Sequence, residues 1–285
     1  METKNTSIYL KSEVRTLAIG RFDGLHIGHK GLFDRLDNYG AVLIIDTENA
    51  NLTPPRYLCK YLEIPYFIYK LEEIRNLSAS EFVSKLRVDF VNLDKIIVGD
   101  DFRFGRDRGA GLIELKQLFF NIEVVHEIKI DNIGVHSRYI RSLLFEGNVE
   151  KAAIFLGRLY RIYGNVVIGQ GLGSRALYPT VNIHCKDFFI PDEGVYITKI
   201  FMNDLEYKSI SFIGHRLSTD GNYAIETHIL DSSFLSAKTV CIEFHKRVRG
   251  NKYFKDLKKL KIQIAKDIQI AKNYFDNLDI HTLSK

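Results

Sequence analysis

Two habits of apolar spacing divide the chain. Up to about Asn148, short apolar runs alternate with stretches of helical spacing. LAIG (17–20), AVLIID (41–46), YFIYKL (66–71), KIIVGDD (95–101) and IEVVHEI (122–128) read as strands. Between them, GHKGLFDRLDNYG and SASEFVSKLRVDF read as helices, the second opening on Ser78 and Ser80 as N-cap candidates with Glu81 behind them. Strand–helix alternation of this kind predicts a parallel sheet covered on both faces. Ligands of such sheets sit at the carboxyl ends of the strands, which is where GRFDGLHIGH and GDDFRFG fall.

After a helical segment, RYIRSLLFEGNVEKAAIFLG, the spacing changes. RIYGNVVIGQG, GVYITKIFMND, YKSISFIGHR, NYAIETHILD and KTVCIEFHKRVRG are strand-like and separated by Gly, Asn and Asp turns, with no helical pattern before Tyr253. That is the habit of an antiparallel barrel or sandwich closed by one terminal helix. The expected division is residues 1–154 and 155–285, with no internal repeat, low-complexity tract or flexible linker between them.

Composition narrows the class without naming a reaction. A chain of 285 residues, 46% hydrophobic and 26% charged, is globular and large enough for two cores. Met1 to Lys11 is polar and no apolar run reaches the length of a membrane span, so neither a leader nor a membrane partner is expected. Three dispersed cysteines, Cys59, Cys185 and Cys241, argue against a disulfide framework or zinc site and for a reducing cytoplasm. A net charge of +5 suits anionic small molecules but is too small and scattered to imply nucleic acid. The lysine-rich C-terminal stretch places Leu257, Leu260, Ile264, Ile268 and Ala271 at helical spacing, so its lysines read as the solvated face of a packed helix.

The stretch LAIGRFDGLHIGHKGLF carries the first candidate chemistry. His26 and His29 flank Gly28 where a strand turns into a helix. Imidazoles donate to phosphate oxygens and carry charge when protonated, a helix start adds unpaired N–H groups, and glycine admits a purine or phosphate to the backbone. Together these suit charge gathering on an α-phosphate as pyrophosphate leaves. Two ordinary turn histidines would give the same sequence, and Arg103, Arg106 and Arg108 of the second glycine-bracketed loop read as solvated cations. In YPTVNI, Pro179 fixes the backbone, and Thr180 and Asn182 point to one side of an extended segment as hard ligands suited to Mg²⁺ and its phosphates. A locally satisfied edge turn is the alternative there. Glu226, in the alternating YAIETHILD, is an acid among small and polar neighbours, and solvent exposure is its simplest explanation.

The motifs GxFDGxHxGH, VGxDFxFG, PTxN and (I/L)ExH(I/L)LD, in that order, resemble the bifunctional riboflavin kinase/FMN adenylyltransferases. The resemblance implies an α/β Rossmann-like HxGH nucleotidyltransferase domain, then an antiparallel β-barrel riboflavin kinase domain with a C-terminal helix. It implies ATP-dependent phosphorylation of riboflavin to FMN and adenylylation of FMN to FAD, with Mg²⁺ as cofactor. In the first half it implies ATP or phosphate contacts from Gly20, Phe22, Asp23, His26, Gly28, His29, Ser137 and Arg141, and a flavin or nucleotide contact from Asp101. In the second half it implies Thr180 and Asn182 around Mg·ATP, Glu226 as general base, Arg249 as a flavin or phosphate contact, Phe254 packed beside the flavin, and a structural His228.

The chain also departs from that family. IIDTENANLTPPR stands where an FxPHP stretch is expected, and HSRYIR stands for SSTxIR, with Arg138 a phosphate ligand by charge rather than hydroxyl. GSRALYPTVN is one residue short of GRxLGFPTAN, and Arg216-Leu217-Ser218-Thr219 replaces an RPT loop. Two further readings therefore stand beside the first: a riboflavin kinase whose adenylyltransferase half is weakened or inactive, and a nucleotide- or RNA-binding protein using a HIGH-like motif. Against the latter, no KMSKS-like loop is present.

Overall fold

The computed structural model describes residues 10–168, 178–230 and 237–283. The chain divides into two compact units, residues 1–137 and 138–285.

The first unit is a five-stranded parallel sheet in the order β3-β2-β1-β4-β5. Its strands are β1 (Thr16–Gly20), β2 (Gly40–Asp46), β3 (Tyr66–Lys70), β4 (Lys95–Gly99) and β5 (Ile122–Val125). The five predicted runs are these five strands, each shortened at its C-terminal end or matched within a residue. The central strands are apolar on both faces because helices α1 (Ile27–Phe33), α2 (Leu71–Ile74), α3 (Ala79–Asp89) and α4 (Leu112–Leu118) and their loops cover them. Leu17, Ile19, Leu43, Ile96 and Val98 face one cluster; Ala18, Val42, Ile44 and Ile97 face the other.

Ser78 is the N-cap of α3, accepting from Glu81 N while the Glu81 carboxylate accepts from Ser78 N, a reciprocal capping box. Helix α1 stops at Phe33, well short of the predicted stretch to Gly40, since the chain turns through Asp37 to feed β2. Short helices α2 and α4 fall where no helix was predicted; four and seven residues carry too little periodicity to show one. A two-stranded hairpin, β6 (Lys129–Ile130) and β7 (Ile133–Gly134), ends the unit's strands.

The second unit is a closed antiparallel barrel in the order β10-β11-β12-β9-β8-β13. Its strands are β8 (Tyr160–Val167), β9 (Val181–His184), β10 (Gly194–Met202), β11 (Leu205–His215), β12 (Tyr223–Ile229) and β13 (Thr239–Gly250). Closure leaves no open edge. The interior holds Tyr196, Ile200, Ile213, Ile242 and Phe244, with a buried hydroxyl chain: Thr198 bonds Ser209 and Ser211, each at 2.8 Å, and Ser211 bonds Thr227 at 2.7 Å. These hydroxyls satisfy one another, so burial leaves none unpaired.

Helices α5 (Ser137–Phe145) and α6 (Val149–Leu156) replace the single predicted helical segment, broken at Gly147 (φ 74°). Their packing partners lie in the barrel: Arg247 Nη1 donates to Glu146 O at 2.7 Å, Asp192 N donates to Leu144 O, and α6 packs on β13. Compactness thus changes at 137/138, ahead of the 154/155 division expected from the change of spacing. The C-terminal helix α7 (Leu257–Leu283) buries Asp267, Ala271 and Phe275, with Ile268 and Tyr274 beside them, against Val195, Ile197 and Ile210. Leu257, expected on that face, is 44% exposed because the packed stripe begins a turn later.

Candidate functional sites in the two units

In the parallel sheet β1 pairs with β2 on one side and β4 on the other, so the strand order reverses between β1 and β4. Crevices open at the carboxyl ends of strands at such a point. Both glycine-bracketed motifs begin there. The chain leaves β1 at Gly20 and turns through Phe22 (φ 49°), Gly24 (φ 88°) and Leu25 (φ 43°), reaching His26 as the N-cap of α1. Positive φ at Phe22 and Leu25 is costly and needs firm packing to persist. The Phe22 ring supplies it, folding over Gly20 so closely that a β-carbon there would lie 2.9 Å from a ring carbon.

His26 and His29 are brought together by the helix start, with ring centroids 3.5 Å apart and planes within 19°. Phe22 meets His29 edge-on at 5.1 Å. Gly28 leaves room for this pair: a β-carbon would come within 3.1 Å of the His26 ring and of Val135 O. Its smallness therefore serves the packing of His26 in this structure. The Asp23 carboxylate is buried and accepts from Leu52 N at 3.0 Å and Thr53 N at 3.1 Å. It organises the LTPP stretch that occupies the FxPHP position. Ser137 Oγ donates to Asp23 O at 2.7 Å, and His136 is bonded to the Glu127 carboxylate. Asp101 is exposed, and a β-carbon on Gly99 at the end of β4 would lie 3.1 Å from its Oδ1. Arg141 lies on α5, one turn after Ser137. Arg106 is not simply solvated, since it donates to Asn76 O at 3.2 and 3.0 Å.

In the barrel, antiparallel register pairs Glu226 on β12 directly with Asn182 on β9. Residues so paired share a face with β-carbons about 5 Å apart. Thr227 and Val181, the next pair, face the interior, so Glu226 and Asn182 lie on the outer surface beside Phe212, the partner of Glu226 on β11. Thr180 precedes β9 by one residue and is half-buried. His228 Nδ1 bonds Pro179 O at 2.8 Å, and the His228 ring meets Tyr178 edge-on. His228 thus holds the PTxN segment beside the acid. The GSRAL part of the preceding loop lies outside the described residues.

Glu226 is not simply solvent-facing. Its side chain is 22% exposed, and burial raises its proton affinity above the usual carboxylate range; nearby Arg216 opposes that rise and Asp220 adds to it. Arg216 Nη1 donates to Glu226 Oε1 at 3.2 Å while Arg216 Nε lies 3.1 Å from Asp220 Oδ1. Arg216 opens the Arg216-Leu217-Ser218-Thr219 loop that stands for RPT, while Asp220 carries no local signal beyond its opposite charge four residues after Arg216.

Arg249 is anchored within the chain. Its Nε and Nη2 donate to Asp267 Oδ2 at 3.0 and 2.8 Å, its Nη1 donates to Gly250 O at 3.1 Å, and its guanidinium lies 5.8 Å from the Phe254 ring centre. Asp267 Oδ1 also accepts from Gln263 at 2.8 Å. Asp267 and Gln263 lie one turn apart on the amphipathic helix α7, where helical spacing alone does not mark them as partners of Arg249.

The structure thus sets a carboxamide, two residues after a threonine, beside an acid on one barrel face, and a stacked imidazole pair at the sheet's reversal point. The comparisons with known proteins agree with this division. A family model described as riboflavin kinase matches residues 156–275, and one described as FAD synthetase matches residues 60–139. A bifunctional riboflavin kinase/FMN adenylyltransferase of Buchnera aphidicola (subsp. Acyrthosiphon pisum) is 31% identical, over 91% of this chain and 93% of its own. The chain belongs to that family. The relative of the same description from Escherichia coli is 28% identical over 91% of this chain and 92% of its own. A crystal structure titled as a macrolide-efflux protein from Streptococcus pneumoniae shares the fold, with a TM-score of 0.77, 24% identity and coverage of 91% of this chain and 94% of that one. Among the described residues of this family member, no helix is long and apolar enough to cross a membrane.

Proposed function

We propose that the chain makes FAD from riboflavin in two ATP-dependent steps, the kinase step on the barrel face and the adenylyl transfer at the carboxyl edge of the parallel sheet. Residues 155–285 carry the first and 1–154 the second. The observation that carries this reading is that PTxN and its acid are paired in register in one compact unit, while HxGH occupies the strand-order reversal of the other.

In the kinase step Glu226 takes the proton from the terminal ribityl hydroxyl as that oxygen attacks the γ-phosphorus of ATP and ADP leaves. A raised proton affinity suits a base that must accept a proton near neutrality. Among the described residues no cluster of three or more His, Cys, Asp or Glu could hold a metal ion. The Thr180 hydroxyl and Asn182 carboxamide fit magnesium as neutral oxygen donors completed by ATP phosphates. When bound, the ion supplies charge neutralisation of the phosphate oxygens.

In the second step the FMN phosphate, already anionic, attacks the α-phosphorus of ATP and pyrophosphate leaves, so no protein base is needed. His26 and His29 donate hydrogen bonds to the phosphate oxygens as charge collects there. Asp101 reaches the nucleotide or flavin from the end of β4.

A kinase with a weakened adenylyltransferase half is the second reading, and one observation favours it. The Ser137 hydroxyl donates to Asp23 O and one ring nitrogen of His136 is bonded to Glu127, so both side chains of HSRYIR already hold partners within the chain. Chromatography of products from riboflavin and Mg·ATP decides between them. Under the two-step reading the native protein yields FMN and then FAD, His29→Ala stops at FMN, and Asn182→Ala makes no FMN yet converts supplied FMN. Accumulation of FMN without FAD by the native protein selects the second reading, and equal loss of both products in either variant contradicts separate sites.

A further inference from the structure

The turn between β11 and β12 holds more charge than a hairpin needs. Arg216 N donates to Asn222 O at 2.9 Å, Thr219 N to Arg216 O at 2.9 Å, and Gly221 N to Arg216 O at 3.2 Å, so the turn is closed by its own backbone. Asp220 is fixed in turn by Asn222, whose N and Nδ2 donate to it at 3.2 and 2.7 Å. Arg216, 18% exposed in its side chain, lies between this fixed aspartate and Glu226. Its contact engages Oε1 only; among the described residues nothing bonds Glu226 Oε2.

Two further bonds join the turn to the segment after β13. Asn251 Nδ2 donates to His215 O at 2.8 Å, and Phe254 N donates to Ser218 Oγ at 2.8 Å. One rigid turn thus ties the outer-face acid to the segment that carries Phe254.

We infer that Arg216, braced by Asp220, is a positioning residue for Glu226: it holds Oε1 so that Oε2 faces the reacting hydroxyl. This rests on the reading of Glu226 as the base. The physical need is clear. The terminal carboxylate torsion of glutamate is broad, so an unheld carboxylate turns freely. Misplacement of a reacting group by about 1 Å costs on the order of a hundredfold in rate. The charged groups facing Glu226 are Arg216 and Asp220, both from this turn; β9 offers neutral Asn182, β11 offers Phe212, and His228 on the same face of β12 is bonded to Pro179 O.

The test is a cycle of Arg216→Met and Glu226→Gln, read as single-turnover FMN formation by the full chain. Arg216→Met is expected to lower the rate about 10- to 100-fold, with the KM for Mg·ATP within about twofold of native. Arg216→Lys, which keeps the charge but not the fork, is expected to recover part of the loss. In the Glu226→Gln background, Arg216→Met is expected to cost nothing further, because its effect passes through the carboxylate. Quenching of riboflavin fluorescence confirms a folded barrel in each variant, and Asp220→Asn, a smaller change, is expected to move the rate in the same direction if Arg216→Met fails to fold. A native rate in Arg216→Met or Asp220→Asn, or an equal further loss in the Glu226→Gln background, overturns the inference. A native rate in Glu226→Gln overturns the base reading instead.

Discussion

Replacing Arg249 by alanine leaves Asp267 as a carboxylate only 3% exposed, its chief counter-charge gone. Breaking a buried pair by removing one partner costs about 3–5 kcal/mol. Gln263 still donates to Oδ1, and the lost arginine was itself 21% exposed, so the lower end applies, about 3 kcal/mol. For a unit of roughly 150 residues this lowers the melting midpoint by about 9 °C, at roughly 3 °C per kcal/mol. Asp267→Asn in the same chain removes the stranded charge, and the double variant is expected to recover about half the loss. Calorimetry or urea denaturation of native protein, both single variants and the double reads this cycle. A loss below about 1 kcal/mol in Arg249→Ala, or a double variant no more stable than it, refutes the argument that Asp267 is a buried charge dependent on Arg249. The double variant also separates stability from binding: if Arg249 touches flavin as well, riboflavin KM stays raised after stability returns.

Two other perturbations follow from the packing. Asp23→Ala strands the buried N–H groups of Leu52 and Thr53, so it is expected to cost about 2–4 kcal/mol and to reduce FAD formation while FMN formation persists; an unchanged urea midpoint contradicts this. For Glu243, burial pushes the carboxyl's pKa up, but bonds from His245 and Arg161 outweigh that and hold it below the ordinary 4.5. A depressed folded pKa stabilises above the unfolded value and loses that contribution as pH falls through the folded one. The native barrel is therefore expected to weaken below pH 4.5 more steeply than Glu243→Gln, and equal pH slopes in urea titrations refute it.

Much of the fold was legible because its signals are local. Each strand of the parallel sheet announced itself by an apolar run, and the capping box of α3 by Ser78 and Glu81. The barrel strands showed in alternation broken by Gly, Asn and Asp, and the tight turn carrying HxGH showed in its glycines. Less legible was the division between units, since α5 and α6 have apolar faces that say only that they pack, not on what.

The sequence by itself determined which residues could handle phosphate and in what order they come, because side-chain chemistry and strand or helix period belong to a few neighbouring positions. Only the tertiary structure decided what those residues touch. Glu226 meets Asn182 through the register of two strands far apart in the chain, Arg216 reaches Glu226 across a turn, and Arg249 finds Asp267 on a helix beyond it. Such meetings depend on strand pairing and helix docking, and a polar side chain's partner, burial and charge state follow from that packing rather than from its own neighbours in the chain.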